Sequence, residues 1–399
     1  MIPAPDIKRV LTQTFERFVQ SEKSSGIVLL LCTALSLIVA NSSWADSYLN
    51  IWHIKFLGLS LELWINDGLM AIFFLLIGLE LERELYSGEL SNFKNALLPI
   101  VAALGGTIAP AALHFALNHG TASQAGIGIP MATDIAFALG ALALLGSRIP
   151  VALKVFVVAF AVIDDLCAII VIALFYTKQI HFIYLFAALL IWLALLVLNR
   201  RFRIMHLSPY LLGGAAMWVC MLLSGVHATI AGVMLAFAIP YSAKDEDQTS
   251  PSHRLEHFLH RPVAFLILPI FALANTAIVI GSDWMQQLSS SNSLGIICGL
   301  VLGKTVGIVG FCLLAVQCQW CRLPAGVQWK HLIGAAMLGG IGFTMSIFIT
   351  NLAFEGQAEL INASKMAILL ASLCAGIFGL LWLSVSTSNK TDSTLEGQS

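Results

Sequence analysis

Two neighbouring aspartates, Asp164 and Asp165, lie in the stretch AFAVIDDLCAII, between the apolar runs 155–163 and 166–175. An acid at the centre of a membrane helix costs roughly 2.5–3.5 kcal/mol on insertion scales, and apolar packing does not require one. Desolvation and mutual repulsion disfavour two negative charges at once, so such a pair is suited to binding a cation or a proton. A buried ion pair that holds helices together is the alternative, but one cation neutralises only one of the two acids.

The composition explains why these acids are costly. Of the 399 residues, 58% are hydrophobic and 11% are charged, and the mean hydropathy is +0.88; a soluble protein is nearer to a quarter charged. Apolar runs long enough to cross a bilayer recur along the chain. We therefore predict an all-α polytopic membrane protein with twelve transmembrane helices. The predicted spans lie near 25–41, 63–83, 96–117, 126–146, 151–175, 182–199, 208–223, 226–240, 262–280, 293–317, 331–353 and 361–385.

The basic residues are distributed asymmetrically between the two sides of this topology. With the N-terminus inside, seventeen of the 21 lie on the inner side, and only Lys55, Lys178 and Lys365 lie on the outer side. Basic loops favour the cytoplasmic side of a membrane. The distribution predicts a cytoplasmic N-terminal tail (1–24), a transmembrane domain (25–385) and a cytoplasmic C-terminal tail (386–399). No nucleic-acid partner is expected.

Two spans contain helix-breaking residues in mid-run. The fourth span reads GIGIPMATDIAFALG, with Pro130 shortly before Thr133 and Asp134, and the eleventh span contains GGIGFTMSIF. A simple kink, or glycines that allow close helix packing, is the alternative for each segment. Because spans three to five and ten to twelve carry these breaks in corresponding positions, we predict inverted repeats with two discontinuous helices that meet at the membrane midplane. Asp134 could then balance the two positive helix ends at that point.

Lys304, in LVLGKTVGIVG, is the basic residue placed deep in a span. It could balance the two negative helix ends, and it could form a salt bridge with one of the two aspartates. A lysine that reaches back to the membrane surface is the alternative, although apolar or small residues flank it on both sides.

Titratable residues also collect at the inner ends of two predicted helices. GLELERE places Glu80, Arg83 and Glu84 on one helix face, and the amphipathic segment HRLEHFLHRP carries His253, Glu256, His257 and His260. Solvated helix ends and a pH-responsive cluster are both consistent with this pattern, because histidine changes charge near neutrality. His227, Asp67 and Asn275 are further polar residues in or near spans, and such residues are more often satisfied structural groups than ligands.

The motifs ATDIAFALG, AVIDDL, SGVHATIAG, RLEHFLH, GKTVGI and GIGFTMSIFI occur in this order. Across residues 10–385 the chain closely resembles the bacterial NhaA sodium/proton antiporter family. That family is itself a known example of the inverted-repeat architecture, so the two inferences are not independent. The resemblance implies that the fourth and eleventh helices are unwound and cross. One departure is Thr305, where the family usually has proline, which bears on the local helix shape.

The resemblance also implies site residues. It implies Asp164 and Asp165 as the site for protons and transported sodium, with Thr133 beside them, and Asp134 and Lys304 as dipole-compensating residues, with Lys304 paired to Asp164. Its pH-response region corresponds to Glu80, Arg83, Glu84, Glu256, His257 and His260, to which we add His227.

The resulting expectation is a secondary transporter of the bacterial inner membrane, not an enzyme, with no cofactor. It would exchange cytoplasmic sodium for external protons in an electrogenic and pH-regulated way, with lithium left open as a second cargo. The partly alternating segment 48–62 is either a plain loop or a hairpin, and the resemblance implies a homodimer contact near 48–60. A sodium-coupled symporter of an organic solute and an intramembrane aspartyl protease are the alternatives, although adjacent acids on one helix fit a protease poorly.

Overall fold

The structure is a computed structural model that describes residues 7–177, 179–242 and 250–388, and only the backbone of 7–23, 147 and 388. Its helices are α1 (Ile7–Ala40), α2 (Ala45–His53), α3 (Leu61–Tyr86), α4 (Phe93–Asn118), α5 (Ala122–Met131, a 3-10 helix), α6 (Ile135–Leu144), α7 (Val151–Phe175), α8 (Phe182–Arg200), α9 (Leu207–Ser224), α10 (Ile230–Ala236), α11 (Pro251–Asn275), α12 (Ser291–Gln317), α13 (Trp329–Gly339), α14 (Phe343–Ala353) and α15 (Ala358–Ser388). Short helical turns at Glu89–Ser91, Gly146–Arg148 and Trp284–Leu288 lie in the connections.

Eight helices in the described parts of the chain are long and apolar enough to cross a membrane, or up to eleven spans if each of three bent pairs counts as one. The all-α polytopic membrane fold is therefore confirmed, but the count of twelve is not. The predicted span 226–240 contains only α10, which has seven residues, whereas a crossing helix needs about 20. Hydropathy registers the apolar run there but not the point at which the helix ends.

The two predicted repeat units pack against each other. Helix α4 lies along α12, and α5 packs against α14, so corresponding members of the two units are in contact. Gly105 of α4 and Gly307 of α12 lie backbone to backbone, and a side chain at either position would collide with the other's carbonyl group. This close approach of α4 and α12 brings the middle of α12 next to α7.

The fourth and eleventh spans are both broken, as predicted. Helices α5 and α6 meet at 43°, and so do α13 and α14. The two breaks touch, because the amide of Asp134 donates to the carbonyl of Ile341 at 2.6 Å. Backbone groups released from one broken helix are thus partly satisfied by the other.

Helix α11 differs from the prediction, which separated an amphipathic segment (253–262) from a span at 262–280. The structure has one helix over Pro251–Asn275. Proline inside a helix removes an amide hydrogen bond and crowds the preceding turn. Here Pro262 is followed by a wider π-helical turn at Val263–Ile267, and that turn lets the helix continue.

The segment 48–62 is only partly a hairpin. Residues Ala45–His53 form α2, and only Lys55–Phe56 (β1) and Leu59–Ser60 (β2) pair as antiparallel strands. Leu57 and Gly58, at φ 52° and 87°, form the two-residue turn, as expected when both turn residues have positive φ. The phenol of Tyr48 donates to the carbonyl of Leu273 at 2.8 Å, which joins α2 to α11.

Four residues used for the topology prediction need comment. Lys365, counted with the outer-side residues, is buried within α15. Lys178, Lys244 and Lys390 lie outside the described residues. Helix α1 continues through residue 24 and α15 through residue 386, so the tail boundaries stay predictions, as does the orientation of the termini.

Candidate functional site

The two neighbouring aspartates are both buried in the middle of α7, each 1% exposed, but they have different surroundings. Asp164 is fully paired: its Oδ2 lies 2.7 Å from the ammonium of Lys304, and its Oδ1 accepts from the hydroxyl of Thr107 at 3.4 Å. Oδ1 of Asp165 has no hydrogen-bond partner among the described residues. Buried polar atoms are nearly always paired, so Asp165 is the acid with capacity left for a ligand.

Lys304 is fully buried where α12 approaches α7. Besides Asp164, it donates to the carbonyl of Met131 at the C-terminal end of α5. Lys304 follows a π-helical turn at Gly299–Gly303, and Thr305 donates its hydroxyl to the carbonyl of Val301 at 2.8 Å. Position 305 is threonine and not proline, and α12 continues through it as a helix.

Asp134 lies at the start of two half-helices. Its Oδ1 accepts from the amide of Phe137 at 3.1 Å in the first turn of α6. Its Oδ2 accepts from the amide of Thr344 at 3.1 Å and from the hydroxyl of Thr344 at 2.5 Å, in the first turn of α14. One carboxylate thus faces both positive helix ends.

The C-terminal ends of the two half-helices α5 and α13 accept hydrogen bonds from side chains. Met131, the last residue of α5, receives the ammonium of Lys304, and Gly339, the last residue of α13, receives the hydroxyl of Thr133 at 2.8 Å. Thr133 also faces the carboxylate of Asp164 with its hydroxyl and its amide. The oxygen of Thr133 keeps its acceptor capacity, since it donates its single proton to Gly339.

A cavity of about 60 Å³ reaches Asp165. Near Asp165 the cavity is lined by Thr133, Asp134 and Thr344. Further along α3 and α11 it is lined by Glu80 and His260, and apolar side chains complete its walls. A space of roughly 10–15 Å³ on this scale holds one water molecule, so the cavity is large enough for a small ion with part of its hydration shell.

Three asparagines join helices at the opposite end of the bundle. Asn275 of α11 donates to Oδ1 of Asn66 in α3 at 2.8 Å, and Asn351 of α14 donates to Oδ1 of Asn275 at 2.5 Å. These three residues form the Asn66–Asn275–Asn351 network. The network links α3 and α11 to α14, the helix whose first turn contacts Asp134. None of the three asparagines lines the cavity, which lies towards the other ends of α3 and α11.

The structure brings the predicted titratable residues partly together. Arg83 lies 3.3 Å from Glu84 and 3.1 Å from Glu256, so these three form one group at the C-terminal end of α3. Glu80, which also interacts electrostatically with Arg83, lines the cavity together with His260. His257 is exposed. His227 lies at the other end of the bundle, where its Nε2 is 3.0 Å from the carbonyl oxygen of Tyr176.

Several contacting residues were missed from the sequence. Thr107 and Thr344 contact Asp164 and Asp134, but threonines are frequent in apolar helices and carry no distinguishing signal. Glu82 was not among the predicted residues, yet it is buried and accepts from the hydroxyl of Ser252 at 3.0 Å. The sequence SPSH, which starts α11 with a serine cap, was the available signal that this helix begins early enough to cover Glu82.

No group of three or more His, Cys, Asp or Glu side chains in the described ranges could hold a metal ion. The site therefore offers a pair of carboxylates with neutral oxygens around them. Such a donor set suits a weakly held hard cation better than a tightly bound transition metal.

The comparisons with known proteins agree with one another. A family model described as "Na+/H+ antiporter 1" matches residues 16–383. The Na(+)/H(+) antiporter NhaA of Dechloromonas aromatica (strain RCB) is 65% identical over 384 residues, covering 96% of this chain and 99% of that protein. The protein of the same name from Cytophaga hutchinsonii is 56% identical (96% and 98% covered), and that from Helicobacter pylori (strain G27) is 44% identical (95% and 97% covered).

Proposed function

The chain belongs to the Na+/H+ antiporter 1 family and exchanges sodium ions for protons as a multi-pass membrane protein, and we propose that both ions compete for the Asp164–Asp165 pair. The observation that carries the proposal is the buried Oδ1 of Asp165, which has no hydrogen-bond partner within the described part of the chain and lies beside a cavity that other oxygen-bearing side chains line. Sodium is a hard cation that prefers oxygen ligands. A proton on the same carboxylate removes the charge that the cation needs.

Competition at Asp165 explains why exchange is coupled. With Lys304 neutral and both acids ionised, the three side chains carry a net charge of minus two. One sodium ion reduces this charge to minus one, and protons on Lys304 and Asp165 reduce it to zero. A buried net charge is costly in low dielectric, so the empty form is held back relative to either loaded form.

The ion pair between Lys304 and Asp164 gives a route to more than one proton per sodium ion. Sodium that binds both carboxylates must displace the ammonium of Lys304, which sheds its proton to become neutral. When sodium leaves, Lys304 and Asp165 both take up protons. Exchange of one positive charge for more than one proton is electrogenic.

Compensation of helix dipoles is proposed for Asp134 and Lys304. Asp134 faces the N-terminal ends of α6 and α14, and Lys304 donates to the C-terminal end of α5. The second C-terminal end, at Gly339, is met by Thr133. Charges of this sign at helix ends are stabilising, and they allow unwound backbone to persist beside the ion site.

Orientation completes the transport scheme. We place the protein in the bacterial inner membrane with both termini in the cytoplasm, as the distribution of basic residues supports. The cavity at Glu80 and His260 then opens towards the cytoplasm, and the Asn66–Asn275–Asn351 network closes the outer side. Sodium enters from the cytoplasm, and the inward proton gradient drives its export.

Regulation by pH is proposed for the titratable groups at the cytoplasmic end, where Arg83, Glu84 and Glu256 are joined and Glu80 and His260 line the entrance. His257 belongs to this proposal through the family resemblance, and His227 is added to it from the sequence; both take a smaller part than the residues joined to Arg83. A homodimer through the segment near 48–60 is proposed through the same resemblance, and lithium is left open as a second cargo.

Neither alternative function is supported. The cavity of about 60 Å³ is far below the roughly 300–1,000 Å³ typical of sites for organic ligands. A protease needs its two acids to approach one peptide bond from opposing positions, and here one acid is paired with Lys304.

The experiment that tests the proposal uses purified protein in proteoliposomes with a sodium gradient and an internal pH dye. We expect wild-type protein to move protons against sodium and Asp165→Asn to abolish this exchange. Asp283→Asn makes the same chemical change at an exposed position and should behave as wild type. Exchange by an Asp165→Asn protein at the wild-type rate would refute the site assignment.

A further inference from the structure

The half-helix α5 needs support from outside itself. It runs for ten residues as a 3-10 helix, Ala122–Met131, and contains Pro130. Runs of 3-10 helix longer than three or four residues are uncommon because their hydrogen bonds are poorly aligned. Its last residue, Met131, receives Lys304, so the placement of this weak element decides the geometry of the ion site.

Tyr176 supplies that support from the C-terminal end of α7. Its phenol donates to the carbonyl of Ala125 at 2.8 Å and accepts from the amide of Gly128 at 3.1 Å. One buried hydroxyl thus satisfies one acceptor and one donor of the α5 backbone. A Cβ atom at Gly128 would lie 2.6 Å from this hydroxyl, which shows how closely the phenol lies on the backbone.

The same helix, α7, carries the acid pair. Tyr176 follows Asp165 by eleven residues, or about 16 Å along the helix, so it contacts neither the ion site nor its cavity. Its own carbonyl is held by Nε2 of His227 at 3.0 Å, and because a carbonyl can only accept, this ring nitrogen is the donor. The backbone of Tyr176 is therefore fixed as well as its phenol.

We propose that Tyr176 is a positioning residue for ion binding: it fixes α5 against α7 and so holds the Met131 carbonyl and Thr133 opposite Asp164 and Asp165. The inference rests on the proposed ion site. Loss of the phenol hydroxyl removes one hydrogen bond from the buried amide of Gly128 and one from the carbonyl of Ala125 and frees α5 to shift, which weakens sodium binding without removing any ligand.

The test compares Tyr176→Phe with Tyr210→Phe. Tyr210 is also buried and donates its phenol to one backbone carbonyl, that of Ile204 at 3.0 Å, but it lies in α9, away from the site. We expect Tyr176→Phe to raise the apparent KM for sodium about tenfold, the factor for one buried group left unpaired, while the maximal rate per folded protein changes little. Tyr210→Phe should leave the KM unchanged, even where both variants lower the melting temperature.

A second variant keeps the phenol and moves it. Gly128→Ala should displace the Tyr176 hydroxyl and raise the KM for sodium in the same way, whereas Gly310→Ala, whose Cβ would meet no atom within 4 Å, should not. This pair decides the question if Tyr176→Phe does not fold. An unchanged KM in the folded variant, or an equal rise in Tyr210→Phe, would overturn the proposal. Active wild-type protein with inactive Asp165→Asn would meanwhile leave the proposed function standing.

Discussion

The ammonium of Lys304 lies 2.7 Å from Oδ2 of Asp164, and both side chains are fully buried. This ion pair divides two adjacent acids into one that is neutralised by the protein and one, Asp165, that is left for an ion from solution. Two identical residues in sequence thereby acquire different tasks.

Removing one member of the pair should cost more than removing both. Asp164→Asn removes the carboxylate that directly contacts the ammonium of Lys304, and breaking a buried pair in this way costs about 3–5 kcal/mol of stability. The double variant Asp164→Asn/Lys304→Gln should recover most of this loss, although it no longer exchanges ions. Thermal unfolding of the purified proteins measures the effect, and strictly additive losses would contradict the pairing.

The side-chain hydrogen bond from Thr344 to Asp134 should contribute more to stability than a hydrogen bond between two neutral groups. Thr344→Val removes a hydrogen bond to a charged group, worth about 1.5–3 kcal/mol, and leaves Asp134 less well held between the two half-helices. We expect a lower melting temperature and a lower rate of exchange. Thr350→Val is the matched control in the same helix, because the Thr350 hydroxyl only donates to the carbonyl of Ser346 at 2.8 Å. Equal effects of the two substitutions would argue against the role of Asp134.

Breaking the Asn66–Asn275–Asn351 network should open the outer side more often. Asn275→Leu keeps the side-chain size but removes the bonds to Asn66 and Asn351. In a background whose eight native cysteines are replaced by serine, a cysteine introduced at Met70, which is buried one turn deeper in α3, should then react faster with an impermeant maleimide added outside, by about fivefold to thirtyfold for one or two lost hydrogen bonds.

The control for this experiment is the neighbouring Thr276→Val. Its hydroxyl bonds only to the carbonyl of Ala272 in its own helix, at 2.7 Å, so labelling should stay at the wild-type rate. Identical labelling of Asn275→Leu and Thr276→Val would mean that the network does not close the outer side.

The pH response should depend more on Glu256 than on His257. Glu256→Gln removes one negative charge from the group around Arg83; with less negative charge there, proton binding near the cavity becomes weaker, so the half-maximal exchange rate should move to lower pH by roughly half a unit to one unit. His257 is exposed, and His257→Gln should move the profile less. Exchange rates across a pH series measure both; a shift in His257→Gln alone would reverse the assignment.

The residue pattern of the sequence predicted the chemistry of the site, but it did not predict which aspartate pairs with Lys304. The acid pair, the breaks at Pro130 and at Gly339–Gly342, and the buried lysine are all visible, because charges and helix breakers inside apolar runs are expensive. Which acid Lys304 contacts could not be derived from the residues, since successive positions on α7 face only about 100° apart. The partner helix decides that choice, and the resemblance alone indicated Asp164.

The failures of the fold prediction have a common physical origin. Hydropathy measures how apolar a run is, and it does not register where backbone hydrogen bonds stop. Residues 226–240 are apolar, yet only Ile230–Ala236 is helical. Conversely, Pro262 suggested a helix boundary, but a π-helical turn accommodates the proline and α11 continues past it. Glu82 is buried for the same reason, because the early start of α11 covers it.

The most direct test of the central claim is calorimetric titration of the purified protein with sodium, in buffers of different ionisation enthalpy and at several pH values. If one carboxylate serves both ions, each sodium ion bound must release protons, and the apparent affinity must weaken as the pH falls. Asp165→Asn should show no binding. Sodium binding without proton release, at an affinity independent of pH, would contradict the account.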